Sequence, residues 1–316
     1  MTDPTTVPTA RTKHSFSLYN IAQISFFLFG IPANSFGSVD VTNNCNLYCD
    51  HCYFYKQDQT EQLTEAQWEE HFKSMKNNGY NLFQCTWVGG EPLLRQPVIE
   101  LGKKYFKYNT VTTNGTIPLP DWKDVSWYIS IDGNKDSHDK MRKLPGLHER
   151  IRENIANSPG QKITIACCIT SQNYADIPEV LNEWYLNPNV KHIVFSFFTP
   201  IAGLDDDLWL GGKEKDTTLD ILIKNKVTYG DFIINTGRSL RFMKSDKCRS
   251  VTDKCPFAEK SFAYAANGKL KKPCMLGEKA DCTRCGCVVP FYLKSLTDKK
   301  SILKDLTSIF LNKLRF

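Results

Sequence analysis

Three cysteines stand within eight residues, Cys45-Asn-Leu-Tyr-Cys49-Asp-His-Cys52, directly after a short strand-like stretch. Thiols on one tight loop can wrap a cuboidal iron–sulfur cluster, because such clusters are held by cysteine thiolates. Three protein ligands leave the fourth iron open, much as a catalytic metal site keeps a vacant position. The competing reading is a structural zinc site with His51 or a distant cysteine as fourth ligand. Zinc sites more often pair two Cys-x2-Cys knuckles, and no second knuckle lies near this loop. A second group, Cys248, Cys255, Cys274, Cys282, Cys285 and Cys287, falls within forty residues. Between Cys255 and Cys274 the stretch SFAYAANGKLKKP reads as a hairpin turning at Asn267-Gly268. Cys255, Cys274, Cys282 and Cys285 form the expected ligand set, with Cys287 a rival for the last place. Either an iron–sulfur cluster or one zinc ion fits such a set. Cys85, Cys167 and Cys168 lie inside apolar runs and read as small core residues.

The rest of the chain sets the setting for this chemistry. Twelve cysteines in 316 residues are informative by their clustering. The N-terminal stretch has no hydrophobic signal-peptide core, so a reducing cytoplasm is expected, where clustered cysteines bind metal or do chemistry rather than form disulfides. The formal charge of +6 is modest and its lysines and arginines are scattered, which argues against a nucleic-acid footprint. A phosphorylated substrate, an acidic peptide or an anionic membrane surface remains compatible with it. Residues 18–32, LYNIAQISFFLFGIP, are apolar but too short to span a bilayer. They form either a helix packed on the main body or an interfacial helix giving peripheral membrane contact.

From residue 38 onward, strand-like and helix-like stretches alternate. Strands are expected at 38–42, 82–88, 110–113, 125–131, 163–169 and 192–198. Helices are expected from Thr64, where Thr64 and Gln67 fit a capping box, and at 97–105, 149–156 and 177–186. Gly79 is placed to stop the first of these. Such alternation demands a parallel sheet, either open and doubly wound or a partial (β/α)6 barrel. The strand ends then converge on one mouth, carrying the Cys45 loop, GGEP (89–92), TNG (113–115) and SIDG (130–133). The chain divides into an N-terminal extension (1–35), an α/β body (36–235), and a cysteine-rich region ending in a helix (236–316). A connector with a helix fills 201–230.

With these motifs in this order, residues 36–200 resemble the radical S-adenosylmethionine (SAM) superfamily, whose signature is Cys-x3-Cys-x2-Cys after the first strand of a six-unit partial barrel. The resemblance implies a 4Fe–4S cluster on Cys45, Cys49 and Cys52, with the amino and carboxylate groups of SAM on the fourth iron. His51 stands where many members have an aromatic residue flanking adenine. The resemblance implies that Gly89, Gly90 and Glu91 receive the SAM ammonium, and that Asn114 and Ser130 hydrogen-bond SAM. Arg142 would pair with the SAM carboxylate, a surface ion pair being the alternative. The fifth strand lacks the glycine pattern that many members place beside adenine. The pattern from Cys255 to Cys285 is similar to the SPASM or twitch extension of peptide-modifying members, which implies a second iron–sulfur cluster. The expected function is therefore reductive cleavage of SAM to a 5′-deoxyadenosyl radical that abstracts hydrogen from a peptide or protein, with flavodoxin or ferredoxin as reductant. A lipid or isoprenoid substrate is the alternative, prompted by residues 18–32 and by a likeness of 273–278 and its paired cysteines to hopanoid-modifying members. A non-catalytic iron–sulfur or zinc-binding module is the other.

Overall fold

Strand alternation in the sequence becomes a parallel sheet in the computed structural model, which describes residues 30, 32–56, 61–203 and 207–298. The strands are β1 (Phe36–Asp40), β2 (Gln84–Val88), β3 (Tyr108–Thr113), β4 (Val125–Ser130), β5 (Lys162–Ile169), β6 (Val190–Phe197) and β7 (Ser261–Tyr264). Their order is β6-β5-β4-β3-β2-β1-β7, and every neighbouring pair is parallel. The helices are α1 (Glu65–Asn77), α2 (Gln96–Gly102), α3 (Lys135–Arg142), α4 (Leu147–Ala156), α5 (Ile177–Leu186) and α6 (Gly212–Tyr229). Then follow α7 (Gly237–Phe242), α8 (Cys248–Thr252), α9 (Pro256–Lys260) and α10 (Val288–Thr297). This is the expected partial barrel, with one strand added. Residues 18–29 and 31 of the apolar segment, and the expected tail helix, lie outside the described residues.

Side-chain chemistry sorts the two faces of the sheet. Trp87, Val111, Trp127, Ile129, Ile165 and Phe195 are fully buried with apolar residues of the helices, such as Phe72, Ile99, Ile151 and Leu181. Gly102 of α2 sits so close to Trp87 that an added Cβ would lie 1.9 Å from the indole, so glycine is required there. The opposite, concave face is polar. Ser38, Thr86, Thr110 and Ser126 stand in one row across four strands. Tyr128 and Thr164 face each other in the next row toward the mouth. Parallel strands usually bury apolar side chains on both faces, so a row of hydroxyls marks a face kept for something else.

Local signals behave as read for α1. Thr64 accepts from the Gln67 amide, the Gln67 side chain accepts from the Thr64 amide, and Gly79 follows the helix end at φ +79°. Helix α3 was not anticipated, because KDSHDKMR is strongly polar and Met141 is its one apolar residue. Asn134 caps it, and the residues it buries are His138, Met141 and Arg142.

Strand β7 is the main departure. The sequence reading leaves 261–264 in the C-terminal region, yet these four residues pair with β1, joining the region to the sheet. The expected hairpin is present: the Lys271 amide donates to Ala263 and the Ala265 amide to Lys269. On the opposite edge, Ala202 bonds Lys279, Asp281 bonds Pro200, and Phe197 bonds Gly286. The cysteine-rich region therefore attaches to both edges of the partial barrel. Gly37 permits the β1–β7 contact, since a Cβ there would fall 2.1 Å from the Phe262 carbonyl and 2.4 Å from its ring. Gly37→Val should cost about 1–3 kcal/mol as an overpacking change. It should also speed limited proteolysis between residues 242 and 261; unchanged stability and cleavage would show that β7 is not held through this contact.

Candidate functional site

The first cysteine loop lies at the C-terminal ends of β1 to β5 and is held from two sides by buried carboxylates. On one side, Glu91 accepts from the Leu93 amide at 3.1 Å, the Thr113 hydroxyl at 2.7 Å and the Asn114 amide at 2.8 Å. Burial raises its pKa, and these donors work against that rise. Its side chain is thus used inside the protein, which leaves the Gly89-Gly90 backbone as that segment's means of meeting a ligand. Both glycines are needed for another reason. The Gly90 amide bonds Thr42 and the Glu91 amide bonds Asn44, and a Cβ on Gly90 would lie 2.0 Å from the Asn44 carbonyl. The GGEP segment is pressed against the backbone that enters the cysteine loop.

Asn114 carries the clamp onward. Its amide nitrogen donates to Asn46 Oδ1 at 2.8 Å and lies 3.8 Å from Cys45 Sγ, while its oxygen accepts from Thr116. Tyr55 donates to the carbonyls of Cys45 and Leu47.

On the other side stands Asp132, whose Oδ2 receives Arg142 Nε at 2.9 Å and a second guanidinium nitrogen at 2.7 Å. His51 Nε2 lies 3.2 Å from the same oxygen, and the Cys168 amide donates to Oδ1 at 3.0 Å. Burial alone would raise the Asp132 pKa, but Arg142 and His51 together hold it well below the usual carboxylate range. Arg142, expected either on a ligand carboxylate or in a surface ion pair, forms an ion pair with Asp132 beside Cys49 that is buried rather than at the surface. His51 likewise turns to Asp132, and its Nδ1 is buried without a partner. Ser130 ends β4 on the concave face, half-buried. Asp132 itself was missed by sequence reasoning, although its SIDG motif was noticed.

Cys45, Cys49 and Cys52 lie within electrostatic reach of one another, and burial pushes Cys45 upward and Cys49 up to about 11. Among the described residues, no three or more His, Cys, Asp or Glu side chains converge tightly enough to hold a single metal ion. Cysteine thiolates are the ligands that iron–sulfur clusters take, so the donor set of this loop fits such a cluster. Cys85 and Cys167 are buried as expected, but Cys168 faces the mouth, half-buried beside Asp132 and Arg142.

The second group assembles across the same mouth. Cys255, Cys274, Cys282, Cys285 and Cys287 line one cavity with Phe257, Leu276 and Pro290. Burial pushes Cys274 up to about 11 and Cys285 up to about 12, and it raises Cys287 well above the ordinary thiol value. Cys248 stands apart, its thiol 3.8 Å from the Ser245 carbonyl. Lys215 of α6 is buried within reach of Cys248 and Cys285, with its ammonium 5.6 Å from the Phe197 ring centre. A lysine in an amphipathic-looking helix gives no sequence signal of this.

The family model of the radical SAM superfamily matches residues 39–183, the stretch that holds both clamps and the first cysteine loop. Residues 39–183 are a radical SAM domain. The chain is 30% identical over 156 residues to the pre-heme d1 synthase of Dinoroseobacter shibae, covering 45% of this chain and 38% of that one. It is 27% identical over 166 residues to the sporulation killing factor maturation protein SkfB of Bacillus subtilis, covering 46% of this chain and 38% of that one. The chain thus spans about two fifths of the length of these curated relatives. Among solved structures, anSMEcpe with bound AdoMet superposes with a TM-score of 0.60 at 19% identity, over 81% of this chain and 80% of that one. Streptococcus suis SuiB bound to its precursor peptide SuiA gives 0.58 at 15% identity, over 90% and 72%. These likenesses confirm the fold of the radical SAM domain and its continuation beyond residue 183.

Removing one member of a buried ion pair strands the other charge, so Asp132→Ala should destabilise the radical SAM domain by about 3–5 kcal/mol. The double variant Asp132→Ala/Arg142→Met should recover most of that loss. Urea denaturation of the metal-free protein measures both, and a single-variant loss below about 1 kcal/mol would mean the pair is not a structural requirement.

Proposed function

We propose that this chain is a radical SAM enzyme that abstracts hydrogen from a peptide or protein side chain. The observation that carries the proposal is the placement of the three-cysteine loop at the mouth of a barrel whose concave face is lined with hydroxyls. When bound, a reduced 4Fe–4S cluster and SAM supply one-electron cleavage to a 5′-deoxyadenosyl radical, chemistry that belongs to the cofactor. Cys45, Cys49 and Cys52 would hold the cluster, and Asn114 would orient the Cys45 end of the loop. The Gly89-Gly90 backbone would meet the SAM amino group. Arg142, fixed by Asp132, places a positive charge beside Cys49 and favours anionic thiolate there. The helix-side apolar layer closes one side of the sheet to water, while the polar concave side receives the substrate.

A lipid or isoprenoid site would be expected to present apolar lining, which the hydroxyl rows do not provide. No described helix is long and apolar enough to cross a membrane. The relatives' names divide between tetrapyrrole synthesis and peptide maturation, and each match takes in less than half of this chain, so the names do not choose the substrate. The peptide reading rests on the polar face and on the twitch-like cysteine pattern. In this proposal Cys255, Cys274, Cys282 and Cys285, with Cys287 a rival for the last place, hold an auxiliary iron–sulfur cluster, and flavodoxin or ferredoxin supplies electrons.

Anaerobically reconstituted protein should bind about eight irons with both clusters formed and about four with only the first. Given strong reductant and SAM, it should release 5′-deoxyadenosine and methionine even without substrate, and Cys49→Ala should release none. An iron-replete protein that yields no 5′-deoxyadenosine would reduce the chain to a metal-binding module. Cys274→Ala should lower the iron content; a change in zinc alone would replace the auxiliary cluster by a zinc site.

A further inference from the structure

Between the two cysteine groups the concave face carries one charged pair that folding alone does not explain. Asp40 ends β1, and Lys271 leaves the β7 hairpin three positions before Cys274. Lys271 Nζ donates to Asp40 Oδ2 at 2.8 Å, with the side chains 8% and 3% exposed. The same ammonium lies 5.8 Å from the ring centre of Tyr53, the residue after Cys52. The Tyr53 phenol is within electrostatic reach of Asp40, Cys52, Cys274 and Cys287, so it stands between the groups.

The remaining oxygen, Asp40 Oδ1, is buried and has no hydrogen-bond partner. Buried polar atoms of folded proteins are nearly always paired, and an unpaired carboxylate oxygen is costly. Lys271 is committed to Oδ2, and the residue in register with Asp40 on the next strand is Val88, which has no side-chain donor. Asp40 therefore holds, at the C-terminal end of β1, a buried acceptor that the described residues do not fill.

We infer that Asp40, Lys271 and Tyr53 form a substrate subsite that binds a neutral N–H donor, a peptide backbone amide, between the two cysteine groups. The Asp40–Lys271 pair is already charge-compensated, so an incoming carboxylate would meet the unpaired acceptor and an ammonium would leave excess positive charge. An amide suits both sides of the subsite, because its N–H can donate to Asp40 Oδ1 while its carbonyl accepts from the Tyr53 hydroxyl. This subsite rests on the peptide reading above and names the group through which a peptide would be held.

The test uses anaerobically reconstituted full-length protein with SAM, and the blocked tripeptide N-acetyl-Gly-Ser-Gly-amide as probe. Binding is read from the faster transverse relaxation of the probe protons when the small peptide joins the 36.1 kDa protein. Wild type should enhance relaxation, and should do so more weakly for the analogue whose backbone nitrogens are methylated. The isosteric double variant Asp40→Leu/Lys271→Met, which leaves no lone buried charge, should keep its iron content and weaken probe binding roughly tenfold. Tyr53→Phe should keep its iron and bind the probe less tightly than wild type. If the double variant does not fold, Asp40→Asn serves, with the expectation of weakened binding at unchanged iron content. Equal binding of the methylated analogue, or unchanged binding in an iron-replete variant, would overturn the subsite. Absence of 5′-deoxyadenosine from wild type would instead overturn the proposed chemistry, since that assay needs no peptide.

Discussion

A carboxylate almost wholly removed from water must be met by positive charge and hydrogen-bond donors, and Asp132 meets this requirement by drawing together four distant parts of the chain. His51 comes from the cysteine loop, Arg142 from α3, and the Cys168 amide from β5, all onto a group at the end of β4. Arg142 and His51 meet on one oxygen of Asp132. The loop is thereby fixed against the sheet at its middle. Glu91 fixes it at its start by a different means, taking neutral donors from β3 and its following loop. The two clamps differ in electrostatics as well. Arg142 and His51 favour the charged form of Asp132, whereas burial pulls Glu91 toward its neutral form.

These constraints explain what could and could not be read from the sequence. The Cys45–Cys52 spacing is local, so it declares itself in eight consecutive residues. The six expected strands fall within two residues of the observed ones, because their helix-facing side chains form continuous apolar patterns. The pairing of β7 with β1 escapes such reading, because the partner strand lies more than two hundred residues earlier. Helix α3 escapes because what it buries is polar: His138 accepts from the Asp132 amide and Arg142 from the same helix pairs with its carboxylate. The glycines of GGEP were visible as a motif, but their service to the cysteine-loop backbone required the position of the Asn44 carbonyl.

Side chains singled out by resemblance also have partners within the protein for the same reason. A motif states which residue types recur, while the partners that occupy each side chain come from elsewhere in the chain. Asn114 was expected to meet a ligand directly, and its amide group is engaged with Asn46 and Thr116. Arg142 was expected to offer its guanidinium to a carboxylate; the carboxylate it finds is the protein's own. In each case the polar group sits near the anticipated place but acts first on the loop that carries the cysteines.

The C-terminal cysteines share that mouth because of how the barrel is completed. An open sheet of six strands leaves two unpaired edges, and an unpaired edge exposes backbone groups. Here β7 covers the β1 edge, while the backbone of 279–286 bonds to the strand end and loop following β6. Gly286 allows the second attachment, since a Cβ there would lie 2.2 Å from the Phe197 carbonyl. Both attachments flank the second cysteine cavity, so its geometry depends on the two ends of the sheet at once. The Asp40–Lys271 pair then ties the strand leading into the first cysteine loop to the strand leading into Cys274. Disorder in either cysteine segment must therefore be felt by the other through β1, which makes the C-terminal region part of the barrel's own closure.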